Sequence, residues 1–125
     1  MIYFSYEEMA CRCGCGAMEF APGFEPMLDG LRGEWGWPAI VTSGCRCPAH
    51  NKAEGGHKNS LHLTINPRWG VATCAVDIER PDSKRLADLV RVALSRKFSV
   101  GIAGNFVHLD WRTPALERRA KLWIY

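Results

Sequence analysis

The chain has 125 residues, of which 47% are hydrophobic and 23% charged, the balance of one ordinary folded domain rather than of a disordered segment. No apolar run approaches the ~18 residues of a membrane-spanning helix. The net charge of +3 falls well short of the dense basic stripe of a nucleic-acid binder and fits only a weak preference for anionic surfaces.

The opening Met1-Ile2-Tyr3-Phe4-Ser5-Tyr6-Glu7-Glu8 has no basic head and carries acids where a signal peptide would be apolar. The expectation is a protein made in the cytoplasm without a signal peptide. Ser5 and Glu8 stand at the S-x-x-E spacing of a capping box, which predicts a short opening helix. The Cys/Gly stretch from Cys11 to Gly16 follows as a loop. Phe24, Met27, Leu28, Leu31 and Trp35 recur at helical spacing as a core-facing stripe, closed by Gly36 and Pro38. Ala39-Ile40-Val41-Thr42 reads as a buried strand running into Ser43-Gly44. From Ser43 to Ser60 the chain is polar and turn-rich, and a loop of that length in a small domain is usually functional.

Two later segments alternate as strands do. In Cys74-Ala75-Val76-Asp77-Ile78, residues Cys74, Val76 and Ile78 share one face and Asp77 takes the other. In Phe106-Val107-His108-Leu109-Asp110-Trp111, residues Val107, Leu109 and Trp111 point inward, and His108 and Asp110 lie together on the opposite face. Between them Leu86, Leu89, Val90, Ala93 and Leu94 mark an amphipathic helix opened by Asp82-Ser83. The fold class expected is therefore α+β. It is a small single domain over residues 1–125, with an antiparallel sheet and helices packed on one face, one sheet face apolar and the other polar.

Six cysteines stand as Cys11-x-Cys13-x-Cys15, Cys45-x-Cys47 and a lone Cys74. Without a secretion signal the expectation is a reducing compartment and free, small, buried thiols. The spacing is not the C-x2-C of a zinc ribbon, so a sulfur-bound metal or a disulfide is only weakly signalled.

The polar face carries the chemistry. Asp77 and His108 sit mid-strand among apolar residues, where no solvated charge is needed, and His62 lies in Ser60-Leu61-His62-Leu63, also between apolar neighbours. Two imidazoles and a carboxylate form the donor set of an open catalytic zinc site, with a fourth position left for water. Such an ion lowers the pKa of water toward ~7 and polarises a carbonyl, which suits amide hydrolysis. A structural His–Asp hydrogen bond is the commoner origin of such a pair, and the pattern alone leaves both readings open.

The segments Ser43-Gly44-Cys45-Arg46-Cys47-Pro48-Ala49-His50-Asn51, Gly55-Gly56, Ser60-Leu61-His62, Ala75-Val76-Asp77-Ile78 and Phe106-Val107-His108-Leu109-Asp110 occur in that order. Together they resemble the zinc D-Ala-D-Ala carboxypeptidase family, and more closely its small phage and bacterial peptidoglycan peptidases. The similarity runs from the opening helix nearly to the C-terminus and implies the hedgehog/DD-peptidase type of fold. It implies zinc held by His62, Asp77 and His108, with Arg46 binding a substrate carboxylate or carbonyl oxygen and adding charge where the oxyanion develops. Ser43 and Ser60 then shape the loop or orient a ligand.

Two departures from the family pattern matter. Residues Thr64 to Thr73 form an insert between His62 and Asp77, either a lid or specificity loop with Arg68 and Trp69 as wall contacts or an inert surface hairpin. Several family members place an acid three residues before the last histidine, where this chain has Asn105, which takes no proton. Asp110 is then either the general base or the partner that orients His108. His50 and His57 are the weaker alternatives.

The leading expectation is a monomeric, zinc-dependent peptidoglycan peptidase that cuts a stem-peptide or cross-bridge amide, without nucleic acid or membrane as a partner. Arg118, Arg119 and Lys121 would suit an anionic cell wall. The expected setting is the cell wall, reached as a phage lysin is, with help from another protein. The competing expectations are a catalytically inert zinc module of the same fold and a cysteine-rich zinc module for nucleic acid.

Overall fold

The computed structural model describes residues 1–125, the side chain of Pro114 apart. The elements run α1 (Tyr6–Met9), α2 (Phe24–Trp35), β1 (Val41–Ser43), α3 (Pro48–Ala53), β2 (Ala75–Glu79), α4 (Ser83–Ser95), β3 (Ser99–Ile102), β4 (Phe106–Asp110), α5 (Arg112–Leu116) and β5 (Leu122–Ile124). Local chemistry explains most of the boundaries. The capping box of α1 is complete: the Ser5 N–H donates to Glu8 Oε1 at 2.9 Å and the Glu8 N–H donates to Ser5 Oγ at 3.2 Å. Helix α2 buries Phe24, Leu28, Leu31 and Trp35 and stops at Gly36, whose φ of 83° is open to glycine at no steric cost. Helix α4 opens on Asp82, whose carboxylate accepts from the Arg85 N–H, and buries Leu86, Leu89, Val92 and Ala93.

The five strands form one sheet in the order β1-β2-β4-β3-β5. Helices α2 and α4 contact each other, and Phe24, Leu28, Leu89 and Val92 share one apolar core with Val76, Ile78, Val100, Val107 and Leu109 of the sheet. The sheet is mixed rather than purely antiparallel, because β5 pairs parallel to β3 while the other pairs are antiparallel. The chain reverses once between β4 and β5; β3 also opposes β4, so β5 arrives beside β3 in the same direction.

Sequence patterning misses several features. Strand β1 begins at Val41, not Ala39, and Ile40 is exposed. The stretch expected to be loop contains α3, capped by Cys47 with Pro48 in its first turn. Strands β3 and β5 and helix α5 are too short to show periodicity.

Register decides what meets across the polar face. Ser43, Asp77, His108, Gly101 and Trp123 form one row running across all five strands. Gly101 is the gap in that row. A Cβ there would lie 2.5 Å from the Trp123 ring, which instead leans over to the His108 imidazole at 5.5 Å between centroids.

Gly44 makes a second close approach, where a Cβ would collide with the Met9 carbonyl group while the Cys45 N–H donates to that carbonyl oxygen at 2.8 Å. Both groups are backbone and neither yields cheaply. Gly44→Ala should therefore destabilise the fold by about 1–3 kcal/mol, read as a lowered denaturation midpoint. An unchanged midpoint would show that α1 does not clamp this segment.

Candidate metal centre

Three side chains converge on the polar face. Strand β2 supplies Asp77, the paired position of β4 supplies His108, and the loop after α3 supplies His62. His62 is placed by backbone bonding to the Arg46 segment: the Arg46 N–H donates to the His62 carbonyl at 2.7 Å and the Thr64 N–H to the Arg46 carbonyl at 3.0 Å. The facing atoms are His62 Nε2, His108 Nδ1 and Asp77 Oδ1, at separations of 3.1 Å (His62–Asp77), 2.9 Å (His108–Asp77) and 3.3 Å (His62–His108). All three residues are buried.

The outer sides of both rings are already committed. His62 Nδ1 lies 2.8 Å from the Gly44 carbonyl oxygen, which only accepts, so this nitrogen carries a proton. His108 Nε2 lies 2.9 Å from Asp110 Oδ2 and donates to it. In neutral imidazoles the inner nitrogens are then bare, and two lone pairs meet a carboxylate oxygen with no donor among them. Such a group could hold a cation. Bonds of about 2.0–2.1 Å to zinc would set neighbouring tetrahedral donors about 3.3 Å apart, close to the spacing found.

Without an ion, a proton is the available relief, and the titration behaviour follows. Burial works to lower the His108 pKa, but hydrogen bonds to Asp110 and Asp77 and their charges outweigh it and push it up to about 9. Burial pushes His62 down, keeping that ring neutral. Burial alone would raise the Asp77 carboxyl, but His108 and His62 hold it well below the usual carboxylate range.

Arg46 is beside this group. Its Nε donates to Ser43 Oγ at 2.8 Å, Nη1 to Asn51 Oδ1 at 3.2 Å and Nη2 to Asp77 Oδ2 at 3.4 Å. Ser43 thus orients the arginine, and the Ser60 hydroxyl accepts from the His62 N–H at 3.2 Å.

Asp110 is fully buried and doubly engaged. Arg112 Nη2 reaches Asp110 Oδ2 at 2.6 Å and Arg112 Nε reaches Oδ1 at 2.8 Å, while His108 takes Oδ2 from the other side. Burial would raise this carboxyl, but Arg112 and His108 hold it below the ordinary range. Arg112 is a residue that sequence reasoning missed, although its place two residues after Asp110 was visible.

The group opens into a cleft of about 590 Å³. Its walls include Arg46, Arg68, Arg112, Arg118 and Lys121, against the side-chain carboxylates of Asp77 and Asp110 alone among the described residues. The 64–73 insert forms one wall. Buried Asn66 accepts from the Arg68 and Trp69 N–H groups and donates to the Asn59 carbonyl, and both Arg68 and Arg118 lie 5.0 Å from the Trp69 ring centre. Arg118 and Lys121 thus line the cleft, and Arg119 does not.

Asn105 is exposed in the β3–β4 turn, away from the cleft. His50 lies near Glu54 at 3.8 Å, outside the cleft. His57 does line it, but its Nδ1 accepts from the Asn59 N–H at 3.0 Å. Of the cysteines, Cys11, Cys13, Cys15 and Cys47 cluster elsewhere, and Cys45 and Cys74 are separately buried.

The model of the family described as Peptidase M15 matches residues 2–110. No curated protein matches the chain.

Orientation of His108 by Asp110 should be measurable as metal affinity. Asp110→Asn should weaken zinc binding by about 10–100-fold in a competition titration against a chromophoric chelator, with helical and sheet content retained. Equal affinity in the variant would show that His108 is oriented without the carboxylate.

Proposed function

The chain belongs to the Peptidase M15 family, and from that membership and the geometry above we propose that it is a zinc-dependent peptidoglycan peptidase. It would hydrolyse an amide bond in a stem peptide or cross-bridge. The observation that carries the reading is the meeting of His62 Nε2, His108 Nδ1 and Asp77 Oδ1 at the floor of a cationic cleft.

His62, Asp77 and His108 would hold the ion, and a zinc ion bound there supplies a water acidified toward neutral pH and a polarised carbonyl. The remaining work belongs to the chain. Arg46, held by Ser43 and Asn51, presents guanidinium N–H groups beside the metal ligands, where they would donate to the carbonyl oxygen as negative charge builds on it. Asp110, clamped by Arg112, keeps the His108 proton on Nε2 and the ring aimed inward, which is a positioning role. A base must present a free lone pair to the cleft, and both Asp110 oxygens already accept. The excess of arginine and lysine on the walls suits a peptide bearing free carboxylates, as peptidoglycan stems do.

One observation supports a second reading, an inert zinc-binding module of the same fold: among the described residues, no unengaged side-chain carboxylate lines the cleft. Incubating the zinc-loaded protein with purified peptidoglycan and measuring released amines separates the two readings. Release supports the peptidase; no release with zinc fully bound leaves the inert module.

Arg46→Ala should keep its zinc and lose about 10²-fold in rate, and wild-type turnover in that variant would remove Arg46 from the mechanism. His62→Ala and His108→Ala should each lose the ion of this site and hydrolysis together while the far-ultraviolet circular dichroism is preserved. Full activity after exhaustive chelation would overturn the zinc mechanism.

A further inference from the structure

Away from the cleft, a second group of potential metal donors comes together. The Sγ atoms of Cys11, Cys13, Cys15 and Cys47 all lie within 4.8 Å of one another. Cys11 and Cys13 are separated by 3.4 Å and Cys13 and Cys47 by 3.7 Å, and none of the six cysteines is in a disulfide. Four sulfurs bound tetrahedrally at about 2.3 Å from one zinc ion would sit about 3.8 Å apart, a spacing close to these.

The backbone is arranged around the sulfurs. Gly14 and Gly16, at φ of 87° and 75°, allow the Cys11–Cys15 run to turn back on itself. Amide N–H groups point at three of the thiols: Cys47 donates to Cys11 Sγ at 3.3 Å, Ala17 to Cys15 Sγ at 3.4 Å and His50 to Cys47 Sγ at 3.4 Å. Such donors favour the charged sulfur that a metal needs. Cys45 and Cys74 are different: Cys74 is buried in the apolar core, Cys45 is buried against the Thr73 hydroxyl, which donates to its sulfur at 3.1 Å, and both lie outside the cluster.

We propose that Cys11, Cys13, Cys15 and Cys47 bind one zinc ion as a closed tetrathiolate, a structural site separate from the His62–Asp77–His108 group. An all-sulfur tetrahedron selects zinc or iron over harder cations, and four protein donors leave no open corner for chemistry. Binding releases the thiol protons to solvent, with no redox step. The ion joins the loop after α1 to the N-cap of α3. Cys47 directly follows Arg46, so the ion anchors the arginine's segment from outside while its backbone bonds to His62 and Thr64 anchor it from the cleft side.

The test is metal content and cobalt spectroscopy on the full chain. The wild type reconstituted with zinc should hold two ions. Cys13→Ser with Cys47→Ser should hold one, and His62→Ala with His108→Ala should also hold one. Cobalt substitution should give an intense near-ultraviolet thiolate-to-metal band that survives the histidine substitutions and disappears with the cysteine ones. If the cysteine variant fails to fold, the cobalt spectra of the wild type and the histidine variant decide the matter. The proposal fails if the band is absent from both. It also fails if the cysteine variant keeps as much zinc as the wild type, if iron occupies the site, or if intact-mass measurement finds the thiols oxidised in pairs. None of these readouts depends on hydrolysis.

Discussion

Three donor atoms that meet in a buried space, His62 Nε2, His108 Nδ1 and Asp77 Oδ1, are the constraint around which the site is organised. His62 Nε2 and His108 Nδ1 face inward because the other nitrogen of each ring is spent, one on a carbonyl and one on a carboxylate. Left alone, such a group captures a proton: hydrogen bonds to Asp110 and Asp77, with their charges, hold the His108 pKa above its ordinary value. A divalent cation would take that proton's place with more charge and without protonating either ring. The outer hydrogen bonds therefore matter as much as the donors, since they decide which nitrogen faces inward.

Those outer partners are themselves supported. Asp110 would be a costly buried charge without the forked Arg112 contact, and removing one partner from a buried ion pair is far more damaging than never having built it. Trp123 lies over His108 only because Gly101 leaves the space between them empty. The Gly44 carbonyl that sets the His62 tautomer belongs to a backbone segment pressed against the end of α1. The centre thus depends on contacts from both chain ends, while the sheet row supplies its floor.

The cysteine cluster extends this logic along the chain. The segment 43–47 carries, in order, the Ser43 hydroxyl that orients Arg46, the Gly44 carbonyl that fixes His62, Arg46 itself and the Cys47 sulfur. A few residues serve both groups of donors, and distortion at either one reaches the other through a short stretch of backbone.

Much of this was legible in the chain. Capping boxes, helical stripes and period-two alternation depend on neighbours within a few residues, so α1, α2, α4, β2 and β4 follow from pattern, as does the shared face of His108 and Asp110. The ordered segments around Arg46, His62, Asp77 and His108 carry the resemblance to the family whose model matches residues 2–110. Only the tertiary structure decided the rest, because register and loop path are set by packing between distant segments. It placed Trp123 through a three-residue parallel strand with no periodicity, turned the 64–73 insert into a cleft wall through one buried asparagine, and tied Asp110 to Arg112. It also gathered Cys47 with cysteines more than thirty residues earlier. No local spacing rule encodes such a meeting, whose geometry exists only once α1, β1 and α3 are packed together.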